Sequence, residues 1–307
     1  QRCAGRVPDA PFLRYTKHWR TLPRLLTSTE RTTMPHLHRR LFILSALTAL
    51  TLGATLLAAP TTAHRAKKKL LVVTVTKGFR HGDSIPVAEK ILAELGARSG
   101  KFDVDYVRTD AEMAEKMSVA GLKNYDGVFF ASTTGDLPLP DPEGFLAWVK
   151  SGKGFCGAHA ATDTLHNFPG YIEMIGGEFQ THGAQVEVEG IIEDDNHAAT
   201  KPFNKQPFKV FDEIYLFKSY DWAKTHALIG MDKHPNSKAP GYHALSWCKD
   251  YGKGRVFYTS MGHRVDVWQK PWYQEHVLGG ILWSLKEAKG SAKLPKLGAT
   301  PAILKTK

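Results

Sequence analysis

A continuous run of aliphatic and β-branched residues at 70–75 constrains the fold of this chain more than any other feature of the sequence. Aliphatic and β-branched residues in succession are typical of a strand that is buried on both faces, as in parallel sheets covered by helices. Further strands are predicted at 104–107, 125–131 and 154–159, with helices between them at 84–95, 111–117 and 142–150. Strands that alternate with helices predict a parallel sheet with helices on both faces.

The second half of the sequence has a different pattern. The segment at 186–192 begins with alternating apolar and polar residues, which is typical of a half-exposed antiparallel strand. Further strands are predicted at 210–217 and 227–231, a hairpin with a glycine-rich turn at 244–258, and a closing amphipathic helix at 273–285. We therefore predict a parallel core with an antiparallel extension.

The segment that follows Met34 has the features of a secretory signal. A short basic stretch precedes an apolar run at 41–59, and the small residues at 61–63 form a cleavage site. We expect residues 34–63 to be a signal peptide, and the protein to be periplasmic or secreted without stable membrane insertion after cleavage. An uncleaved membrane anchor is the alternative, because the apolar run is about long enough to span a bilayer.

Two further expectations concern the ends of the chain. Arg39 and Arg40 resemble a twin-arginine export signal, although an ordinary signal explains the same residues. We interpret residues 1–33 as a spurious or disordered leader and residues 287–307 as a flexible tail rich in Lys, Pro and Gly.

The basic character of the chain comes from its ends. The whole sequence has a net charge of +11, but residues 70–285 contain 22 basic and 27 acidic residues. A nucleic-acid surface needs a basic stripe on a folded face, and none is visible in this region. The sequence therefore argues against a nucleic-acid partner.

Polar residues follow four of the predicted strands. In an open α/β sheet, ligands bind beyond the carboxyl ends of the strands, where loops and helix N-termini converge. The four polar clusters, in chain order, are 76–81, 133–136, 159–164 and 261–264. We expect the functional site where these clusters meet.

At these residues the sequence resembles the ThuA-like (trehalose utilisation) family, within the class I glutamine-amidotransferase-like superfamily. The segments that carry the resemblance are 76–86, 157–164, 176–183, 212–217 and 252–263, in family order along a domain at 69–286. The resemblance implies a flavodoxin-like or class I glutamine-amidotransferase-like parallel sheet with helices on both faces. It also implies a role in carbohydrate metabolism, beside dehydrogenases that make 3-keto sugars.

The elbow that holds the nucleophilic thiol in the wider fold corresponds here to residues 157–161. His159 stands where the thiol belongs, and Cys156 lies three residues earlier, inside the predicted strand. A thiolate nucleophile must be exposed and activated, so we do not expect a thiol-dependent glutamine amidotransferase. We expect Cys156 and Cys248 to be buried free thiols rather than a disulfide.

Histidines and carboxylates in the resembling segments are the candidate chemical groups. One hypothesis is a divalent transition metal such as zinc, with tentative ligands His159, His263, His182 and Glu213. The metal-free alternative uses His159 as a base oriented by Asp163, with His263 as acid or substrate contact. Both hypotheses stay open, and the expected substrate-binding residues are Arg80, His81, Thr134, Asp136, Thr162 and Arg264.

Other histidines and tryptophans receive less specific interpretations. We expect surface or loop positions for His166, His197, His226, His234 and His276. Trp222 and Trp268 are expected either to stack on a sugar or to pack inside the protein.

The sequence as a whole predicts an exported enzyme whose partner is a small carbohydrate. It is expected to hydrolyse or eliminate a glycoside or 3-keto-glycoside. The alternative is a non-catalytic sugar-binding or partner-binding domain on the same scaffold, because a fold does not fix a function.

Overall fold

A computed structural model describes residues 66–294. The predicted leader and signal peptide lie outside the described residues, and so does the predicted tail beyond residue 294. Among residues 66–294, no helix has both the length and the apolar character needed to cross a membrane.

Eleven strands and seven α-helices make up the described part. The strands are β1 Lys68–Val73, β2 Phe102–Val107, β3 Gly127–Ala131, β4 Gly154–Ala158, β5 Phe179–His182, β6 Val186–Ile192, β7 Phe208–Asp212, β8 Tyr215–Phe217, β9 His226–Lys233, β10 Pro240–Tyr251 and β11 Gly254–Thr259. The helices are α1 Ser84–Ser99, α2 Asp110–Lys116, α3 Val119–Leu122, α4 Pro142–Lys150, α5 Pro169–Ile175, α6 Val265–Trp268 and α7 Pro271–Ser284.

Nine strands form one sheet in the order β2-β1-β3-β4-β11-β10-β9-β6-β7. The strands from β2 to β11 run parallel to one another, and those from β10 to β7 pair antiparallel. Strands β5 and β8 form a separate antiparallel pair, called here the β5–β8 flap. The predicted parallel core with an antiparallel extension is confirmed.

Burial explains why the central strands are apolar throughout. Every residue of β3 and β4 is buried, because helices cover both faces of the sheet. Helices α1 and α7 cover one face and α2, α4 and α5 the other, each over its own hydrophobic core. The helix ends follow local signals: α2 begins with a capping box between Thr109 and Glu112, and α1 ends at the left-handed Gly100.

The predicted strand at 210–217 is wrong as a single element. The chain leaves the large sheet after Asp212 and enters the β5–β8 flap at Tyr215, with Glu213 and Ile214 between the two strands. Hydrogen bonds to the buried Asp212 side chain hold the chain at this break. The short strand β5 was not predicted, because its exposed residues show no alternation.

Candidate active site

The candidate site lies at the carboxyl edge of the parallel strands. His81 follows β1, His159 follows β4 directly, and His263 follows β11. Because β1, β3, β4 and β11 run in the same direction, their carboxyl ends meet at this edge. The polar residues that follow distant stretches of sequence are therefore neighbours in space.

His159 occupies a tight turn at the end of β4. Its φ is 49°, a left-handed conformation that residues with a Cβ rarely adopt. Its Nδ1 lies 3.0 Å from the carbonyl oxygen of Ser260, which can only accept, so Nδ1 carries the proton. In the neutral ring Nε2 therefore carries the lone pair.

Three side chains converge on the Nε2 atom of His159. His81 Nε2 is 3.1 Å away, His263 Nδ1 is 3.3 Å away and Glu213 Oε2 is 3.6 Å away. His263 Nδ1 and Glu213 Oε2 are 3.2 Å apart, and the four atoms all lie within 4.8 Å of one another. We call His81, His159, Glu213 and His263 the His3Glu cluster.

The His3Glu cluster is a group of side chains that could hold a divalent metal ion. In a tetrahedral zinc site with bonds of about 2.0–2.1 Å, neighbouring ligand atoms lie about 3.3 Å apart. The separations of 3.1 to 3.6 Å around His159 agree with that value. Three imidazole nitrogens and one carboxylate are also a donor set that suits zinc.

The electrostatics of the cluster combine neutral, anionic and proton-holding groups. Burial, together with the neighbouring His159 and His263, lowers the pKa of His81 to about 3, so its imidazole stays neutral. Burial acts to raise the pKa of Glu213, but the neighbouring imidazoles of His159 and His263 hold it well below its usual range. For His263 burial is outweighed by Glu213, and the net effect raises its pKa.

A buried carboxylate supports the cluster from behind. Asp212 Oδ2 accepts the backbone N–H of Gly262 at 2.7 Å. Its Oδ1 accepts the N–H of Glu213 at 3.0 Å and of Arg264 at 3.2 Å. Asp212 thereby ties Glu213 to the loop that carries His263. Burial raises the pKa of Asp212 against the opposing effect of these N–H groups and of nearby histidines.

The β5–β8 flap forms one wall of the site. Tyr215 is buried, and its ring centre lies 4.3 Å from that of His159 and 4.3 Å from that of Phe179. His182 is 42% exposed, with Nδ1 3.3 Å from Glu213 Oε1 and 3.0 Å from its neighbour's backbone oxygen. Both partners accept, so Nδ1 carries the proton and Nε2 of the neutral ring is a base.

An exposed aromatic ring stands next to the cluster on the β1 side. Phe79 is 69% exposed, and its ring centre is 4.9 Å from that of His81. Sugars present apolar faces that pack on such rings, so Phe79 can support a carbohydrate beside the cluster.

The structure brings together three of the four residues expected to bind a metal. His159, Glu213 and His263 are in the cluster, and the fourth position belongs to His81, which was expected to contact substrate. His182 lies at the edge, on the other oxygen of Glu213.

The expected pairing of His159 with Asp163 is wrong. Asp163 Oδ1 lies 2.8 Å from His166 Nε2, whereas His159 is oriented by the Ser260 carbonyl. The 3-10 turn at His159–Thr162 carries the chain past the imidazole, so Asp163 meets His166 instead.

The remaining expected substrate contacts have partners within the protein. Thr162 bonds to the Tyr258 hydroxyl, and Thr134 holds the loop at Gly78 and Phe79. These two threonines are buried and support the fold. The partners of the other three are as follows: Arg80 donates to the Thr74 carbonyl, Asp136 accepts from Asn167, and Arg264 donates to Asp266 and Gln185.

Two histidines expected on the surface are internal, and Trp268 takes the internal position that was one of its two expected placements. His197 and His276 are fully buried and hydrogen-bond to the Ala198–Phe203 turn that packs on α7. Trp268 is fully buried and donates to the Gly262 carbonyl. The apolar faces of these three side chains complete the core. An isolated histidine or tryptophan in a segment without a periodic pattern gives no indication of that role.

Neither buried cysteine is placed for nucleophilic catalysis. Cys156 and Cys248 are free and buried, as expected. Burial raises the pKa of Cys156 to about 12, with only Ser284 Oγ, 3.1 Å away, acting in the opposite direction. A thiol in this state is not a nucleophile at neutral pH.

Sequence reasoning missed Asp212, Ser260, Tyr215 and Phe79 as site residues. The one available signal was the adjacent Asp212-Glu213 pair inside an apolar, strand-like stretch. Buried carboxylates are rare unless paired or hydrogen-bonded, so such a pair marks an unusual environment.

The fold and the site at the strand ends together define a flavodoxin-like, glutamine-amidotransferase-like α/β protein. Among residues 66–294, no cysteine stands in the position of the thiol nucleophile. The ThuA family model, described as trehalose utilisation, matches residues 69–284, and the chain belongs to that family. No protein of curated function matches the sequence.

Two solved structures of ThuA-like proteins share the fold. The one from Parabacteroides merdae is 22% identical with a TM-score of 0.61, covering 77% of this chain and 96% of that chain. The one from Bacteroides uniformis is 18% identical with a TM-score of 0.59, covering 74% of this chain and 95% of that chain. At these identities the likeness concerns the fold alone.

Proposed function

We propose that this ThuA-family protein is a metal-assisted enzyme that cleaves 3-keto-glycosides, with the His3Glu cluster as its metal site. The observation that carries the proposal is the convergence of His81, His159, Glu213 and His263 at the carboxyl edge of the sheet. A strand-end site of this kind is where α/β proteins bind small ligands. The family's association with trehalose utilisation supports a sugar as the substrate class.

The chemistry suits a ketone at C3, which is separated from the glycosidic carbon C1 by one carbon, C2. A 3-keto group acidifies the C2–H bond. Removal of the C2 proton leaves an enolate, which expels the C1 oxygen as a C1=C2 double bond forms. The abstracted proton goes to a protein base, and a second proton goes to the departing oxygen. His81, His159, Glu213 and His263 would hold a divalent metal, which would supply Lewis-acid polarisation of the ketone. Addition of water to the product gives net hydrolysis.

His182 is the base outside the cluster. Its Nδ1–H donates toward Glu213 and Gly183, which leaves Nε2 as the proton acceptor. Side-chain exposure of 42% gives a bound substrate access to this nitrogen. Phe79 supports the apolar face of the sugar at the same opening.

Metal content of the purified full-length protein tests the proposal. We expect close to one equivalent of zinc or another divalent transition metal per protein chain, measured by inductively coupled plasma mass spectrometry. His159→Ala and His263→Ala each lose it, because each removes one ligand from the cluster. His243→Ala is the matched control, since His243 lies on β10 and outside the cluster.

Proton exchange in heavy water separates the enzyme from a binding domain. The wild-type protein is expected to incorporate deuterium at C2 of a 3-keto-glycoside, and His159→Ala is expected not to. Sugar binding without exchange would instead favour the non-catalytic domain. Metal retained in both His159→Ala and His263→Ala would refute the cluster as the metal site.

A further inference from the structure

A polar cavity of about 340 Å³ opens beside the His3Glu cluster. Its polar lining consists of Asp83, Gln185, His263, Arg264, Asp266 and Gln269. His263 belongs to both the cavity and the cluster, so the two spaces meet at that side chain. Cavities of this size are typical of small-molecule sites.

The lining selects a neutral ligand rich in hydroxyl groups. Asp83 and Asp266 supply acceptors, Arg264 supplies donors, and the two glutamines supply both. Two carboxylates disfavour an anion, and the single apolar lining residue, Val265, leaves little surface for an apolar ligand. Hydroxyl groups both donate and accept, and they match this mixture.

The guanidinium in the cavity is fixed before any ligand binds. Arg264 Nε donates to Asp266 at 2.7 Å, and Nη1 donates to Gln185 at 2.8 Å. The group also lies over the Phe211 ring, 5.0 Å from its centre. A donor held on three sides loses little conformational entropy when it binds a ligand.

We propose that this cavity is a second sugar subsite, which binds the leaving sugar of the glycoside. The inference rests on the proposed function, because it places the leaving sugar beside His263 and the keto sugar over the cluster. It narrows the substrate class to disaccharides and longer saccharides, since a small aglycone would not reach the hydrogen-bonding groups of the cavity lining.

Calorimetric binding to the full-length protein tests the subsite. The probes are glucose and three disaccharides built from it: trehalose, maltose and cellobiose. We expect at least one disaccharide to bind about tenfold or more tightly than glucose. Gln269→Ala reduces that preference about tenfold through the loss of a hydrogen bond, and Gln269→Trp abolishes it by filling the cavity. Gln206→Ala, at an exposed glutamine outside the cavity lining, retains the preference.

Metal content in the same samples separates this inference from the proposed function. The cavity variants keep every cluster ligand and are expected to keep the metal. Equal binding of glucose and all three disaccharides, or a preference that survives both Gln269 variants, would overturn the subsite while leaving the metal site untouched. A preference that depends on Gln269 in a protein without metal would support the subsite and count against the metal-assisted reaction.

Discussion

At the scale of single residues, the site depends on side chains whose freedom is removed by buried neighbours. His159 combines a left-handed backbone with a fixed tautomer, and the Ser260 carbonyl determines that tautomer. Such strain, of order 1–3 kcal/mol, persists only where the surroundings over-determine it and is concentrated at functional sites.

Asp212→Asn is expected to weaken metal binding about 10- to 100-fold without removing any ligand. An amide NH2 would face a backbone N–H that Asp212 now accepts, so the loop carrying His263 would shift relative to Glu213. A competition titration with a zinc chelator measures the change. Asp250→Asn, on the far β10–β11 hairpin, is the control. Unchanged affinity in Asp212→Asn would show that the carboxylate does not position the ligands.

His182→Gln is expected to separate metal binding from proton transfer. The variant keeps the four cluster ligands, so its zinc content should equal that of the wild type. Loss of the base is expected to lower deuterium exchange at C2 about 100-fold or more. Loss of zinc in this variant would make His182 a metal ligand, contrary to its position on Glu213 Oε1.

At the scale of elements, the β5–β8 flap places Tyr215 and His182 beside the cluster. Its anchor is His166, whose two ring nitrogens each lie 2.8 Å from a carboxylate, Asp163 on one side and Glu178 on the other. Lys218 also contacts Glu178 at 2.8 Å. Glu178 immediately precedes β5 and Lys218 immediately follows β8, so this bridge joins both ends of the flap to the strand-end loop.

The His166 bridge is expected to weaken as pH rises. Burial lowers the pKa of His166, but Glu178 and Asp163 outweigh it, and the net effect raises the pKa above the usual value of about 6.5. A raised pKa gives stability that is fully present below about pH 6.5 and is lost as pH rises through the folded-state value. Hydrogen exchange of the β5 and β8 amides should therefore differ most between wild type and His166→Gln in that lower range.

The difference between the two proteins should shrink toward about pH 9, where both lack the imidazolium. Glu178 acts in the opposite range: burial raises its pKa, but Lys218 and His166 lower it overall, so its contribution is lost only as pH falls. His243→Gln, outside the flap, should show no such pattern. A constant difference at every pH would argue against an imidazolium bridge.

The sequence reveals elements and strand ends more readily than the partners of each side chain. Buried strands β1, β3 and β4 are visible because a continuous apolar run of this length, bounded by turn residues, is typical of a strand covered on both faces. The choice of His81 over His182 as the fourth cluster member depends on the path of the loop after β1 and on the position of strand β5, which ends at His182. Neither the loop nor β5 has a periodic pattern. The break at Glu213 was hidden for a related reason, because it depends on Gly262, which is distant in sequence.

At the scale of the whole molecule, the cluster joins parts of the chain that are far apart in sequence. Its ligands follow β1, β4, β7 and β11, which belong to both the parallel core and the antiparallel extension. A bound metal therefore links the two halves of the domain, and metal binding should stabilise the fold as a whole.

Zinc is expected to raise the melting temperature of the protein. At free zinc about 100 times Kd the stabilisation is about 2.7 kcal/mol, which corresponds to roughly 5 to 10 °C for a domain of this size. A chelator should reverse the shift, and scanning calorimetry measures both. His263→Ala should show little response to either. An equal shift in that variant would mean that zinc acts elsewhere on the protein.

Anomalous diffraction at the zinc edge, on crystals grown with zinc, tests the central claim most directly. We expect one strong peak at bonding distance, about 2.0–2.2 Å, from His81 Nε2, His159 Nε2, His263 Nδ1 and a Glu213 oxygen. No peak among these four side chains at saturating zinc, or a peak held by His182 without His81, would contradict the account.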